Sequence, residues 1–242
     1  MTSGEFLSAE GIRVHFGALT VLDGVTFAIA EGEAVGIVGP NGAGKTTLLN
    51  VLAGSLRPAE GVVRFRGADV TGRGAATRSR LGIARSHQVP RPFGDLTVFE
   101  NVLVGATAGG AARGAEARRR SLDVLERCGL GALANRRAEA LGLLDRKRLE
   151  MARALATGPA VLLLDEIGGG LTDAEADELL VAVEAVRAQG VAIVWIEHIV
   201  HVLVRLVGRL VCLDAGSVIA DGEPDVVMGD AAVVDAYLGR SA

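Results

Sequence analysis

Apolar positions along this chain cluster in short unbroken runs, and between the runs polar and apolar residues take helical spacing. Residues 34–38, Ala-Val-Gly-Ile-Val, form one run bounded by Glu33 and Gly39, and residues 160–164 and 191–196 form two more. Wholly apolar runs of strand length flanked by helices predict strands buried on both faces, the pattern of a parallel sheet covered on each side. Residues 62–65 read as a further strand, after a turn marked by Pro58 and Gly61. Helices are predicted over 46–53, stopping near Gly54, over 111–127, closed by Gly129, and over 146–156, ending before Gly158-Pro159. Thr97 with Glu100, and Thr172 with Glu175, have the spacing of capping boxes, and the second opens a helix running to about Gln189-Gly190. Between about Pro92 and Glu150 strand signals are weak, which predicts a helical lobe inserted into the α/β core. The Gly/Ala-rich stretch 105–114 reads as a short flexible link.

Composition narrows the function classes. With 242 residues the chain can form one large domain or two small ones, and 50% hydrophobic with 22% charged residues is a globular balance. A formal net charge of −4 argues against nucleic acid as the main partner. The run Arg118-Arg119-Arg120 reads as a solvated helix face, since a single Trp and a single Tyr leave little capacity for base stacking. Cys128 and Cys212 form no C-x-x-C pair, and are expected as buried or half-buried thiols in a reducing compartment rather than a disulfide. The start, Met1-Thr2-Ser3-Gly4-Glu5, lacks the basic and apolar regions of a signal peptide. The apolar stretch 199–213 is interrupted by His201, Arg205 and Arg209, so it is not expected to cross a bilayer, and the chain is expected to be soluble.

Chemistry concentrates at strand ends. Gly39-Pro40-Asn41-Gly42-Ala43-Gly44-Lys45-Thr46-Thr47 matches G-x-x-x-x-G-K-[ST] in full, with an apolar strand before it and a helix after it. Small residues let the backbone amides curl around phosphate oxygens, and the helix N-terminus adds positive potential. Lys45 is expected to reach the β- and γ-phosphates, and Thr46 to offer its hydroxyl to Mg²⁺. Asp165 and Glu166 follow the run Val161-Leu162-Leu163-Leu164. An acid at the end of a buried strand is the expected metal partner of such a loop, and the neighbouring Glu166 is placed to act as general base on an attacking water. His198 follows the third apolar run, so Gly39, Asp165 and His198 each stand at the carboxyl end of a predicted parallel strand, where α/β sheets bind ligands. His201 is read as helix surface or core.

This order of motifs resembles the ATP-binding subunits of ABC transporters, over essentially the whole chain. The resemblance implies an α/β P-loop NTPase core with a mainly parallel sheet, an N-terminal antiparallel β portion and the inserted helical lobe. The whole chain, 1–242, would be one nucleotide-binding domain, with about 1–91 and 157–242 as core and about 92–156 as lobe. Gln88 becomes the glutamine that contacts Mg²⁺ and the attacking water, and the segment after it, 89–101, faces the membrane subunits. His198 contacts the γ-phosphate. Phe16 matches the aromatic that stacks on adenine, with a core role equally open. The ligands implied are ATP and Mg²⁺. The partners implied are transmembrane permease subunits, a second ATP-binding subunit and, indirectly, a solute-binding protein, at the cytoplasmic face of the membrane. Residues 148–155, the run Ile196-Glu197-His198 and Ala236-Tyr237-Leu238-Gly239 look like the branched-chain amino acid importers, a likeness that importers of other small polar solutes share.

Three departures stand out. Where the family reads Leu-Ser-Gly-Gly-Gln, this chain has Leu141-Gly142-Leu143-Leu144-Asp145. Gly142 has no hydroxyl, Leu144 replaces a glycine that allows close backbone approach, and Asp145 brings negative charge toward a phosphate, with Arg146, Lys147 and Arg148 beside it. Ile167 replaces a proline, and Thr172 stands where Asp or Asn is usual, after Gly168-Gly169-Gly170. An intact phosphate loop beside a degraded signature favours a heterodimer over a homodimer. A regulatory subunit with little turnover and a soluble ABC ATPase without a transport role are the alternatives; a small-molecule kinase explains neither Gln88 nor His198.

Overall fold

The first long strand is buried at Leu7, Ser8 and Ala9 and then alternates, with Ile12 and Val14 sheltered and Arg13 and His15 exposed, as one covered sheet face requires. The structure is a computed structural model that describes residues 6–109, 112–197 and 199–238. The chain forms two compact units, Met1–Ala75 with Ala192–Ala242, and Ala76–Val191. In the first unit β1 (Leu7–Phe16) and β2 (Leu19–Ile29) pair antiparallel, with Leu7 opposite Ile29 and Ile12 opposite Val25. Strand β3 (Ala34–Val38) is buried at every position and leads through the phosphate loop into α1 (Lys45–Ala53), which buries Leu48, Leu49, Val51 and Leu52. Gly54 ends α1 in the left-handed region, and its N–H returns to the carbonyls of Asn50 and Val51. Strands β4 (Glu60–Phe65) and β5 (Ala68–Asp69) complete an antiparallel sheet of order β2-β1-β4-β5.

The second unit opens with α2 (Ala75–Leu81) and β6 (Ile83–Arg85). Helices α3 (Val98–Val104), α4 (Gly114–Arg127) and α5 (Leu143–Ala156) follow, then β7 (Val161–Asp165), buried throughout and parallel to β6, and α6 (Asp173–Arg187). Both capping boxes form, Thr97 with Glu100 on α3 and Thr172 with Glu175 on α6. The buried Asn101 ties the chain ahead of α3 in place: its amide donates to the carbonyls of Phe93 and Thr97 and its oxygen accepts from the Phe93 N–H.

Several boundaries differ from the sequence reading: α4 starts at Gly114 rather than at 111, which lies outside the described residues, and β4 starts at Glu60 rather than at 62. The stretch 105–114, expected as a short flexible link, begins as a π-helical turn, Gly105–Gly109, and the Gly105 backbone lies so close to α5 that a Cβ would meet the Arg153 carbonyl oxygen at 2.4 Å. Helix α5 starts at Leu143 rather than near Arg146. Gly142 occupies the cap position without a side-chain bond, so the start carries no capping residue to be read.

The chain then returns to the first unit. Strand β8 (Ala192–Ile196), α7 (Val200–Leu203), β9 (Arg209–Asp214), β10 (Ser217–Gly222), α8 (Pro224–Gly229) and α9 (Ala231–Leu238) follow in order. β3 lies parallel to β8 on one edge and to β9 on the other, and β10 closes the far side antiparallel. Arg209 locks that edge, donating through two nitrogens to Asp221 at 2.6 Å and to the Ala28 carbonyl at 3.0 Å. The expected mixture is thus present: parallel pairing in the core strands, antiparallel pairing in β1, β2, β4 and β5, and helices between. Cys128 and Cys212 are free and buried. Among the described residues no helix is long and apolar enough to cross a membrane.

Candidate functional site

In the first unit the turn after β3 is built from residues that tolerate unusual backbone angles. Gly39 has φ 140°, and a Cβ there would lie 2.0 Å from the Leu213 carbonyl oxygen, so no other residue fits. Gly42 and Gly44 also sit at positive φ, and Gly44 caps α1 without any side-chain bond. Gly44 thus offers the first turn of α1 no capping side chain, and the aligned peptide dipoles favour an anion there. Ala43 is buried, its N–H on the Pro40 carbonyl and its carbonyl accepting from Gly216 N–H. Asn41, Gly42 and Thr46 are exposed, and Thr47 is half-buried. Lys45 is only 6% exposed, and its ammonium donates to the carbonyls of Gly39 at 2.7 Å and Pro40 at 2.9 Å. The lysine thus lies folded over its own loop. Phe16, at the end of β1, is 54% exposed, so it is no core residue.

In the second unit the last residue of β7, Asp165, is buried, and its carboxylate accepts from the Arg85 guanidinium at 2.7 Å. Glu166 follows at φ 47°, an angle that a non-glycine residue adopts at a cost of order 1 kcal/mol. The Gln88 amide donates to the Glu166 carboxylate. The structure thus brings together two residues assigned from sequence, Gln88 and Glu166, because β6 and β7 run parallel and both chains leave the sheet at the same end. They line a cleft of about 300 Å³ with Leu143 and Lys147 of α5. Burial, and then the charge of Arg85, pull the His87 imidazole below its ordinary value, so it is neutral at pH 7.

The departures acquire local reasons. Leu143, Leu144 and Asp145 form the first turn of α5, with Leu143 exposed and Asp145 favourably placed on the helix dipole. Arg148 lies 3.6 Å from Asp145 and 2.8 Å from Glu178, while Arg146 is spent on the carbonyls of Leu141 and Glu139. Ile167 is buried, and Thr172 holds the cap of α6. His198 lies outside the described residues; Glu197 before it is buried at the end of β8. His201 is on the exposed side of α7. Sequence reading gave no role to Arg85, a charge in a short apolar strand, or to Tyr237, whose hydroxyl accepts from the Gly39 N–H at 2.8 Å.

A glycine-lined loop leading from a buried strand into an uncapped helix, with a lysine folded over it, defines a P-loop nucleotide-binding protein. The profile of ABC transporters matches residues 22–168, and that of the branched-chain amino acid ATP-binding cassette transporter matches residues 217–242. The chain belongs to the ABC transporter family. It is 34% identical to the high-affinity branched-chain amino acid transport ATP-binding protein LivG of Salmonella typhimurium, over 99% of this chain and all of that one. It is 32% identical, over the same shares, to the corresponding protein BraF of Pseudomonas aeruginosa. The ADP conformation of MJ1267, an ATP-binding cassette of an ABC transporter, superposes with a TM-score of 0.90 at 32% identity, covering 98% of this chain and 99% of that one. Within the family this is the nucleotide-binding, ATP-hydrolysing subunit.

Proposed function

We propose that this chain powers the import of branched-chain amino acids, or similar small polar solutes, by hydrolysing ATP at the cytoplasmic face of the membrane. The whole chain, 1–242, acts as one nucleotide-binding domain, with about 1–91 and 157–242 as its core and about 92–156 as its helical lobe. The observation that carries the reading is the Lys45 ammonium held by the Gly39 and Pro40 carbonyls over an uncapped helix start. The match of the C-terminal segment supports the solute class.

The ATP phosphates settle on the amides of Asn41, Gly42, Ala43, Gly44, Lys45, Thr46 and Thr47, and Lys45 exchanges its two carbonyls for the β- and γ-oxygens. Phe16, exposed at its strand end, stacks on adenine. The donor set for Mg²⁺ is all oxygen, from Thr46, Gln88 and Asp165, which suits a hard cation. Mg²⁺, when bound, supplies neutralisation of phosphate charge. Glu166 accepts a proton from the water that Gln88 orients; the water oxygen bonds to the γ-phosphorus as its bond to the bridging oxygen breaks, giving ADP and inorganic phosphate. His198 contacts the γ-phosphate. The protein's share of the rate is positioning and charge stabilisation.

The partners are transmembrane permease subunits, reached through the segment 89–101, and indirectly a solute-binding protein. A second ATP-binding subunit completes the pair, and a different chain is favoured over a second copy. Asp145 in the first turn of α5, with Leu144 beside it, weakens what this chain would lend to its partner's nucleotide. The same observation supports a second reading, a subunit that binds ATP but turns it over little. Uptake of labelled leucine by vesicles carrying the complete transporter tests the proposal. ATP-driven uptake abolished by Lys45→Ala and by Glu166→Gln supports it; uptake that survives both contradicts the assigned site, and hydrolysis without uptake of any branched-chain amino acid contradicts the solute class.

A further inference from the structure

A hydrogen bond joins the loop after β3 to helix α9. The N–H of Gly39 donates to the Tyr237 hydroxyl at 2.8 Å, across 198 residues of sequence. The carbonyl of the same glycine accepts from the Lys45 ammonium at 2.7 Å. Its α-carbon is pressed so close to the Leu213 carbonyl that no side chain fits. Gly39 is therefore held at its amide, its α-carbon and its carbonyl, and the amide is held by a side chain from the far end of the sequence. Glycine at φ 140° has wide backbone freedom, so the direction of its carbonyl depends on these contacts. The carbonyl in turn sets where the lysine waits before phosphate arrives.

We propose that Tyr237 is a positioning residue of the nucleotide site, orienting the Gly39 peptide and through it the resting place of Lys45. This inference rests on the nucleotide reading of the loop. It gives the C-terminal helix α9 a task in the chemistry: it braces the loop from outside the motif. The ring is only partly sheltered, with 42% of the residue exposed, so its contribution as packing is modest beside that of its hydroxyl. Burial raises the phenol above its usual range, so at neutral pH it is protonated and its oxygen remains an acceptor for the amide. It is the only tyrosine in the chain, which makes its absorbance a direct reporter of the contact.

The test compares MgADP affinity, and the KM and kcat for MgATP, in the wild-type full chain, Tyr237→Phe, Tyr237→Leu and Lys45→Ala. Phenylalanine keeps the ring and removes only the hydroxyl. Tyr237→Phe is expected to weaken MgADP binding and raise KM by about three- to tenfold, the scale of one hydrogen bond, with a smaller change in kcat. The tyrosine difference absorbance on adding MgADP to the wild type should vanish in the variant. Wild-type affinity and KM in Tyr237→Phe, with a loss only in Tyr237→Leu, would make the ring mere packing and overturn the proposal. If Lys45→Ala binds poorly while Tyr237→Phe binds normally, the loop reading stands and this inference alone falls. If both bind normally, the loop reading falls and takes this inference with it.

Discussion

Gly39 shows how much a single residue position carries. Its φ of 140° and the 2.0 Å separation that any Cβ would have from the Leu213 carbonyl oxygen are two independent penalties, one conformational and one steric, and the steric one is set by backbone that cannot step aside. Gly42 also has positive φ, 83°, but open space around it, so only the conformational penalty applies. Gly39→Ala should therefore cost about 2–4 kcal/mol in urea unfolding and Gly42→Ala about 1 kcal/mol. Equal costs would mean that β9 does not press on the loop as described. Which glycines belong to the phosphate motif was legible in the sequence, because the motif is local. Their ranking was not, because Leu213 lies far along the chain. Arg85 and Tyr237 escaped for the same reason: an ion pair to Asp165 and a hydrogen bond to Gly39 are tertiary contacts with no local signal.

Elements were legible where one local rule decided them. Strands β3, β7 and β8 are buried at all five positions each, and each is marked by its apolar run. Helix α6 is marked by Thr172 and Glu175, and the capping box forms as the spacing requires. Helix α5 begins three residues ahead of the sequence expectation, because its glycine cap makes no side-chain bond that would mark the start. The capping box also fixes a titration. The Thr172 backbone N–H, and then its hydroxyl, hold the Glu175 carboxyl below 4.5. A carboxyl depressed in the folded state contributes stability above pH 4.5, and that contribution is lost as pH falls through its folded value. Thr172→Ala should cost about 1 kcal/mol at neutral pH through the lost cap, and should move the Glu175 titration partway back toward 4.5 by NMR. An unmoved titration would show that the hydroxyl takes no part.

At the scale of the molecule, the chain carries a lysine folded over a glycine-lined loop, a hydrogen-bonded Gln88 and Glu166, and an altered signature. Leu143 and Leu144 stand at the opening of α5 in place of glycines, with Asp145 after them. Both halves of this contrast are legible in the sequence, since each lies within one short motif; the helical form of the signature turn and the way Arg148 answers Asp145 are not, because they depend on how the turn folds. The most direct measurement is steady-state MgATP hydrolysis by the purified chain over a range of concentrations, alone and with a related ATP-binding subunit that has an intact signature, using Glu166→Gln as control. Slow turnover by the chain alone, independent of its concentration, raised by the second subunit and lost in Glu166→Gln, is the predicted result. Turnover by the chain alone that climbs cooperatively with concentration, and that is unchanged when Leu144→Gly restores the glycine, would contradict it.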